Sequence, residues 1–292
     1  MLTFNTNGMI LQRFAFKAPI MDYIFKNAKP EHLIKLYQCG KYFYAKFRLN
    51  IIQHLQIVPN FEAEIFDPTS TSICISNPVL QKLHRFWITD SLIHRGPVGM
   101  LPLFSHCTIK QLELLNFILW EEFVCLTKSG TIEDLKIKGV HGRETLYTPI
   151  EEIITRVPNA TSIEISESFI AATTWNTLVS SNHNVKLSNF VLQNITHILH
   201  FNPLLIFAYL NNIIDIDCNV RFDFQLLPEG NYFNVEELNE SLKRLEFNFN
   251  KVIEGLLEKK KNISLEESME FNEALEGLLQ KEIALEESME IP

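Results

Sequence analysis

The chain has 292 residues, of which 46% are apolar and 21% are charged, a composition typical of a globular protein with one large domain or two smaller ones. Its formal net charge of −9 argues against a surface that neutralises phosphates, so we expect neither nucleic acid nor a membrane as a partner. Five cysteines, none of them in a Cys-x-x-Cys pair, argue against a disulfide framework and a zinc ribbon.

No targeting signal is evident in the sequence. The amino-terminal segment has no basic region leading into an apolar stretch, as a secretory signal would. The longest apolar run, residues 203–210, is far shorter than the roughly 20 residues that cross a bilayer. We therefore expect the protein in the cytoplasm, the nucleus or both.

Residues 15–58 are predicted to form a small helical module. Apolar side chains recur at spacings of three and four from Tyr23 to Leu55, passing through Ile51, which is typical of short amphipathic helices. The Lys29-Pro30 step separates the first helix from the second. A linker is predicted next, over residues 59–78, because four turn signals follow one another there: Pro59, Asp67-Pro68, the Thr/Ser run 69–72 and Asn77-Pro78.

Residues 79–250 are predicted to alternate strands and helices. The strand candidates carry apolar residues two apart: Leu112 and Leu114, Leu135 and Ile137, Ile163 and Ile165, Val185 and Leu187, and Val220, Phe222 and Phe224. Stretches of helical period lie between them, at 115–126, 149–157, 169–179 and 195–210. Such units either stack as a solenoid with a parallel sheet or wind into an open sheet, and the pattern leaves both open. The predicted fold class is α/β.

Residues 251–292 are predicted to be an acidic, low-complexity tail. Eleven Glu and five Lys give this segment a charge of −6, which leaves −3 for the first 250 residues. A segment that starts with Glu-Gly-Leu-Leu and ends with Leu-Glu-Glu-Ser-Met-Glu begins at Glu254 and recurs at Glu276. Because its apolar residues are too sparse to bury much surface, we expect a solvated helix or a disordered tail.

Catalytic motifs are missing from the chain. It has no Gly-x-Ser-x-Gly elbow, no Gly-x-Gly-x-x-Gly or Walker loop and no His-Glu-x-x-His, and its ten glycines leave little room for phosphate-binding loops. The nearest metal candidates, His106-Cys107 and the pair His197 and His200, lack a third ligand. We therefore expect a non-catalytic protein with no cofactor and no bound metal.

Three further polar features have ordinary structural interpretations. Cys39 and Cys125 lie among apolar residues, where a free cysteine usually acts as a small buried side chain. The Glu121-Glu122 pair is expected on the solvent side of an amphipathic helix.

Residues 18–43 carry the spacing of a known family. Ile24-Phe25 is followed by a proline, two leucines, a basic residue and an aromatic residue at the intervals of an F-box, at Pro30, Leu33, Leu36, Lys41 and Phe43. The segment therefore resembles an F-box. It departs from the family pattern at Pro19, which is about two residues too close to Phe25, at Ala28, where a Leu is usual, at Gly40, where a Cys is common and which is expected inside a helix, and at Phe43, where a Trp is usual.

The resemblance extends over residues 15–230, since the stretches 123–137, 149–154 and 157–160 are similar to the divergent F-box-like proteins of nematodes. It implies a short helical F-box-like module followed by a leucine-rich-repeat-like β-α solenoid. Such a protein binds the Skp adaptor, and through it the cullin, of a ubiquitin ligase, and captures a target protein with its repeat domain. The resemblance assigns the adaptor contact, or the small core behind it, to Pro19, Ile24, Phe25, Pro30, Leu33, Leu36 and Phe43.

Two other functions remain open. The chain is alternatively a stand-alone, repeat-type interaction protein with no ligase partner, in which the helical module only caps the first repeat. An α/β enzyme with an unrecognised site ranks last because no nucleophile, metal cluster or phosphate loop is visible. In each case a module of about 40 residues is too small for a core of its own, so we expect the next domain or a partner to complete it.

Overall fold

The structure, a computed structural model, shows a mixed α/β protein whose strands are mostly parallel. Its chain divides into two compact units, Met1–Ile132 and Glu133–Pro292. The residues that it describes are 17–47, 49–67, 70–99, 101, 104, 106–143, 146–195, 203–224 and the single positions 243, 250, 251, 254, 255 and 258.

Three short helices open the first unit. They are α1 (Ala18–Asn27), α2 (Pro30–Cys39) and α3 (Lys41–Phe47). Pro19 lies in the first turn of α1 and Pro30 begins α2, positions where a missing backbone N–H costs no helical hydrogen bond. Gly40 separates α2 from α3 and donates its N–H to the carbonyl of Leu36, so it is not inside a helix.

A mostly parallel sheet forms the body of the first unit. Its strands are β1 (Asn50–Val58), β2 (Ile65–Phe66), β3 (Ser70–Cys74), β4 (Phe86–His94), β5 (His106–Cys107) and β6 (Gln111–Leu114). They lie in the order β2-β3-β1-β4-β6, with β5 beside the start of β4. Only the pairing of β2 with β3 is antiparallel. A 3₁₀ turn (Leu80–Arg85) precedes β4, and β7 (Ile118–Leu119) and α4 (Trp120–Thr127) follow β6.

The second unit is built from successive strands and helices. Its strands are β8 (Asp134–Ile137), β9 (Val140–His141), β10 (Ser162–Ile165), β11 (Leu187–Ile195) and β12 (Ile214–Phe224), and its helices are α5 (Ile150–Thr155), α6 (Thr174–Ser180) and α7 (Pro203–Ile213). Four strands pair in parallel in the order β8-β10-β11-β12. These four strands keep chain order, with the short β9 also between β8 and β10, and the described residues of each connection contain one helix.

A cluster of four aromatic rings fills the core of the second unit. Trp175 of α6 and Tyr209 of α7 meet Phe190 of β11 and Phe222 of β12, with ring centroids 6.1 to 6.5 Å apart. All four side chains are almost fully buried. Because large aromatic side chains bury much apolar surface, this cluster holds the last two helices against the sheet.

Four of the five strand predictions for residues 111–224 are confirmed, by β6, β8, β10 and β12. The fifth is met only in part, because β11 begins at Leu187 and Val185 lies before it. Helices α4, α5 and α6 lie within or across the ranges predicted to be helical. The helix predicted from Ile195 is displaced, because Ile195 ends β11 and α7 begins at Pro203. The predicted tail, 251–292, lies almost entirely outside the described residues, of which 251, 254, 255 and 258 are helical.

The helical prediction is wrong for residues 50–58, which form β1. Ile51 and Leu55 have helical spacing, but Ile52, Ile57 and Val58 are buried as well. Since β1 lies between β3 and β4, consecutive residues are buried near both of its ends, and alternation is limited to the middle of the strand. The stretch 59–78, predicted to be a linker, contains strands β2 and β3. It lies inside the first compact unit.

Candidate protein-docking groove

An open groove lies between α1 and α2. Its volume is about 380 Å³, and its lining residues are Ile24, Asn27 and Ala28 of α1 and His32, Lys35, Leu36 and Cys39 of α2. The exposed lining is mainly apolar, although it includes three polar side chains, and such a lining suits apolar side chains presented by another protein.

Helical periodicity explains why these residues line one groove. On α1, Asn27 and Ala28 follow Ile24 by three and four positions, and on α2 the lining residues fall at similar intervals from His32 to Cys39. Side chains three and four apart lie on the same face of a helix. The two faces meet because the two-residue connection after Asn27 turns the chain back.

A small apolar core lies behind the groove. Leu33 and Tyr37 of α2 are buried against Ile51 of β1, and the rings of Phe25 and Phe43 pack beside them with centroids 6.2 Å apart. Burial raises the pKa of Tyr37 to about 12, with a further contribution from Tyr44. The phenol therefore stays neutral over the physiological range.

The sheet of the first unit completes this core. Ile51 of β1 and Trp87 of β4 both pack against it. Tyr44 of α3 stacks edge-on against Tyr37, with centroids 5.5 Å apart, and donates a 2.6 Å hydrogen bond to the Oδ1 of Asn50 at the start of β1. The three helices do not build this core alone, as expected, and side chains from the sheet of the same unit complete it.

Two large apolar side chains on α1 remain exposed. Ile20 is 47% exposed and Tyr23 is 69% exposed. Ile20 precedes the groove residue Ile24 by one helical turn, and Tyr23 precedes Asn27 by one turn, so both extend the groove along the same face of α1. Met21, by contrast, points into the protein.

The helices that form the groove are basic, unlike the chain as a whole. Residues 17–47 contain six Lys and two acidic residues, Asp22 and Glu31, which gives a net charge of +4. Lys35 lies in the groove itself. A partner with negative charge around an apolar segment would therefore be attracted to this surface.

The structure separates the seven residues assigned by the family resemblance. Ile24 and Leu36 meet in the groove. Leu33 lies in the small core, and Phe25, Phe43 and also Leu36 pack against it. The remaining two, Pro19 and Pro30, begin helices, and Pro19 is exposed.

Sequence reasoning missed several residues of this site. Cys39 was expected to be buried, but it is exposed at the groove, and Cys125 is only partly buried. Ile20 was not singled out, and Tyr23 was named only as part of the apolar periodicity, although their spacing relative to Ile24 places them on one helical face. That spacing is the signal that could have found them.

No second site of reactive groups emerges from the described residues, in which no three His, Cys, Asp or Glu side chains are placed to hold a metal ion. His197 and His200 lie outside those residues. The groups with perturbed pKa values are scattered. Burial lowers the pKa of His183, raises that of Cys107 to about 12 and raises that of Glu151, whereas the hydrogen bond from Asn77 lowers the pKa of Glu64.

Comparison with protein-family models, curated proteins and solved structures finds no match to this chain. None of the helices that the structure describes combines the length and apolar character needed to cross a membrane. The function is therefore inferred from the groove and the fold.

Proposed function

We propose that the protein is a substrate-recognition adaptor of a Skp-cullin-F-box ubiquitin ligase, related to the divergent F-box-like proteins that residues 18–43 resemble. In this proposal α1 to α3 bind the Skp adaptor, and through it the cullin, while the strand-helix units bind a target protein. The protein makes and breaks no bonds. It holds the target near a ubiquitin-loaded enzyme and so raises its effective concentration.

The observation that carries this proposal is the groove with its exposed apolar extension. Ile20 and Tyr23 remain exposed on a helix whose opposite side is already packed, and the groove continues from them to Leu36. Contiguous exposed apolar surface of this kind marks interaction sites. It occurs in the segment whose spacing resembles an adaptor-binding module.

The strand order of the second unit supports the repeat part of the proposal. A doubly wound open sheet reverses its strand order at a switch point, whereas a solenoid keeps chain order. The order β8-β10-β11-β12 follows chain order, which supports a leucine-rich-repeat-like arrangement in this unit. Such a body presents a broad parallel sheet on which a target protein can bind.

The decisive experiment measures binding of a purified Skp-type adaptor to the full chain. The Ile20→Asp, Tyr23→Asp double variant should bind about tenfold or more weakly, because charges replace two apolar side chains at the centre of the proposed contact. Leu146→Asp is the matched control, since Leu146 is equally exposed but lies in the other unit. Leu33→Asp is unsuitable because it would place a charge in the small core.

Circular dichroism and the melting temperature establish that the double variant is folded. The proposal fails if the wild type does not bind the adaptor, or if the folded double variant binds as well as the wild type. Both outcomes are informative because the substituted side chains are exposed, so their loss leaves the fold intact.

A stand-alone interaction protein is the second candidate, and one observation favours it. Because Ile51 and Trp87 already complete the core behind the groove, α1 to α3 need no partner to be stable. Under this alternative the wild type binds no ligase component, yet Leu33→Ala still lowers the melting temperature.

A further inference from the structure

A second apolar surface lies on the connection from β1 to β3. We call residues 59–67 the β2 arm, because they contain β2. Phe61 is 87% exposed, Ile65 is 55% exposed and Phe66 is 51% exposed. Three such exposures within six residues are unusual for side chains of this size, and contiguous exposed apolar surface marks interaction sites.

The arm presents an edge as well as side chains. β2 is the last strand in the order β2-β3-β1-β4-β6, and no described strand pairs with its outer edge. Ile65 and Phe66 are consecutive, so they point to opposite faces of the strand, and each is more than half exposed. β2 is only two residues long and is flanked by Glu64 and Asp67, which limits pairing with other strands, but neither feature requires Phe or Ile there.

The β2 arm is acidic, which favours a basic partner. Residues 59–81 contain Glu62, Glu64 and Asp67 but no Lys or Arg. The Nη1 of Arg95 lies 3.3 Å from the Oε2 of Glu62, so the guanidinium offsets the charge of that carboxylate. Glu64 and Asp67 directly flank the Ile65-Phe66 pair, so an approaching strand meets apolar side chains between two carboxylates.

The Glu64 carboxylate is held in place beside the strand. Its Oε1 accepts a 2.9 Å hydrogen bond from the backbone N–H of Cys74 and a 2.8 Å hydrogen bond from the Nδ2 of Asn77. These hydrogen bonds fix the position of a negative charge at one end of β2. A second copy of this chain would bring the same carboxylates edge to edge, and like charges opposite each other disfavour that pairing.

We propose that the β2 arm binds an extended peptide segment of a partner protein in which basic and apolar side chains alternate. The segment adds a strand to the free edge of β2, with its apolar side chains over Ile65 on one face. Its cations then lie on the other face, where their aliphatic stems cover Phe66 and their charges are attracted to the carboxylates that flank β2. This surface is separate from the groove of α1 and α2, and the proposal does not depend on adaptor binding.

The test uses the full chain and three short synthetic peptides. One alternates Arg and Val, the second alternates Glu and Val, and the third alternates Arg and Ser. The Arg-Val peptide should bind at least about tenfold more tightly than either of the others, because it alone satisfies both the charge and the apolar surface. Its affinity should also fall as the salt concentration rises.

Two variants locate the binding. Ile65→Thr with Phe66→Thr keeps β-forming residues but removes the apolar surface, and Glu64→Gln with Asp67→Asn removes the charges. Each should weaken binding of the Arg-Val peptide by about tenfold, and only the second should abolish the salt dependence. Leu146→Thr removes an equally large exposed side chain elsewhere and should leave the affinity unchanged.

Three results would overturn the proposal. One is the absence of binding to the Arg-Val peptide up to about 1 mM. Another is equal binding of that peptide by the wild type and the Ile65→Thr, Phe66→Thr variant. The third is a concentration-dependent dimer that the same variant abolishes, since a second copy would then be the occupant.

Discussion

His94 makes the first unit sensitive to acid. It ends β4 within an apolar row, where its Cα is in register with Ile57 of β1 and Leu114 of β6. The side chain is only 3% exposed, and its Nε2 has no hydrogen-bond partner among the described residues. A charged imidazole in this position would be costly, because it would be buried without a compensating group.

The size of the effect follows from the pKa. Burial lowers the pKa of His94 from 6.5 to about 4. One pKa unit corresponds to about 1.36 kcal/mol, so the complete shift is worth about 3 kcal/mol. Because the folded state disfavours the proton, the stability is complete above the unfolded-state pKa and is lost as the pH falls toward about 4. Between pH 7 and pH 5 we expect a loss of about 2 kcal/mol from this group.

The assay is urea denaturation at both pH values, followed by hydrogen exchange of the β4 amides so that the first unit is observed. When the pH falls from 7 to 5, the free energy of unfolding of His94→Leu should decrease by about 2 kcal/mol less than that of the wild type. Ile57→Val is the matched control, because it trims a neighbouring buried side chain, costs about 1 kcal/mol and leaves the wild-type pH dependence in place. The reasoning is refuted if His94→Leu loses as much stability as the wild type on acidification.

Two further substitutions test local packing. A Cβ on Gly96 would clash with the Cδ1 of Ile75 and lie 2.8 Å from the Nε2 of His94, so Gly96→Ala should lower the free energy of unfolding by about 1 to 3 kcal/mol. At the helical Gly255 no atom of the described residues lies within 4 Å of an added Cβ, so Gly255→Ala should stabilise the protein by about 0.5 to 1 kcal/mol. An equal loss of stability at both glycines would contradict the clash. In the second unit, the hydroxyl of Thr174 donates a 2.6 Å hydrogen bond to the buried Glu151, and Thr174→Val should cost about 2 kcal/mol in urea denaturation. Burial raises the pKa of Glu151, so its contribution to the free energy of unfolding is present at low pH and is lost as the pH rises. Glu151→Gln should remove this pH dependence of stability. An unchanged pH profile in that variant would contradict the prediction.

The sequence predicts strands well where one face is buried and poorly where both are. In β8 and β10 the residues alternate between buried and more exposed, and the apolar spacing of two is visible in the sequence. In β1, Ile51 and Ile52 are both buried, and Ile51 and Leu55 happen to be four apart. A central strand and an amphipathic helix can therefore share a local pattern, and only the pairing of β1 with β3 and β4 distinguishes them.

Glu122 shows a second limit of local patterns. Its place in α4 beside Glu121 predicts a solvent-exposed side chain, yet the structure buries it. Its carboxylate accepts a 3.0 Å hydrogen bond from the N–H of Leu119 at the start of the helix and a 3.2 Å bond from that of Leu101. The first is a local capping interaction that a Glu near a helix start favours, but the second comes from a distant loop.

The groove combines what local sequence can and cannot predict. Helical spacing places Ile20, Tyr23 and Ile24 on one face, whereas nothing local shows that Trp87 completes the core on the other side. Because the sheet supplies that packing, the stability of α1 to α3 and their capacity to bind a partner depend on different side chains. A substitution at Leu33 should therefore change the melting temperature, while one at Tyr23 should change affinity alone. If the two properties always change together, the exposed face of α1 is part of the fold and not a docking surface.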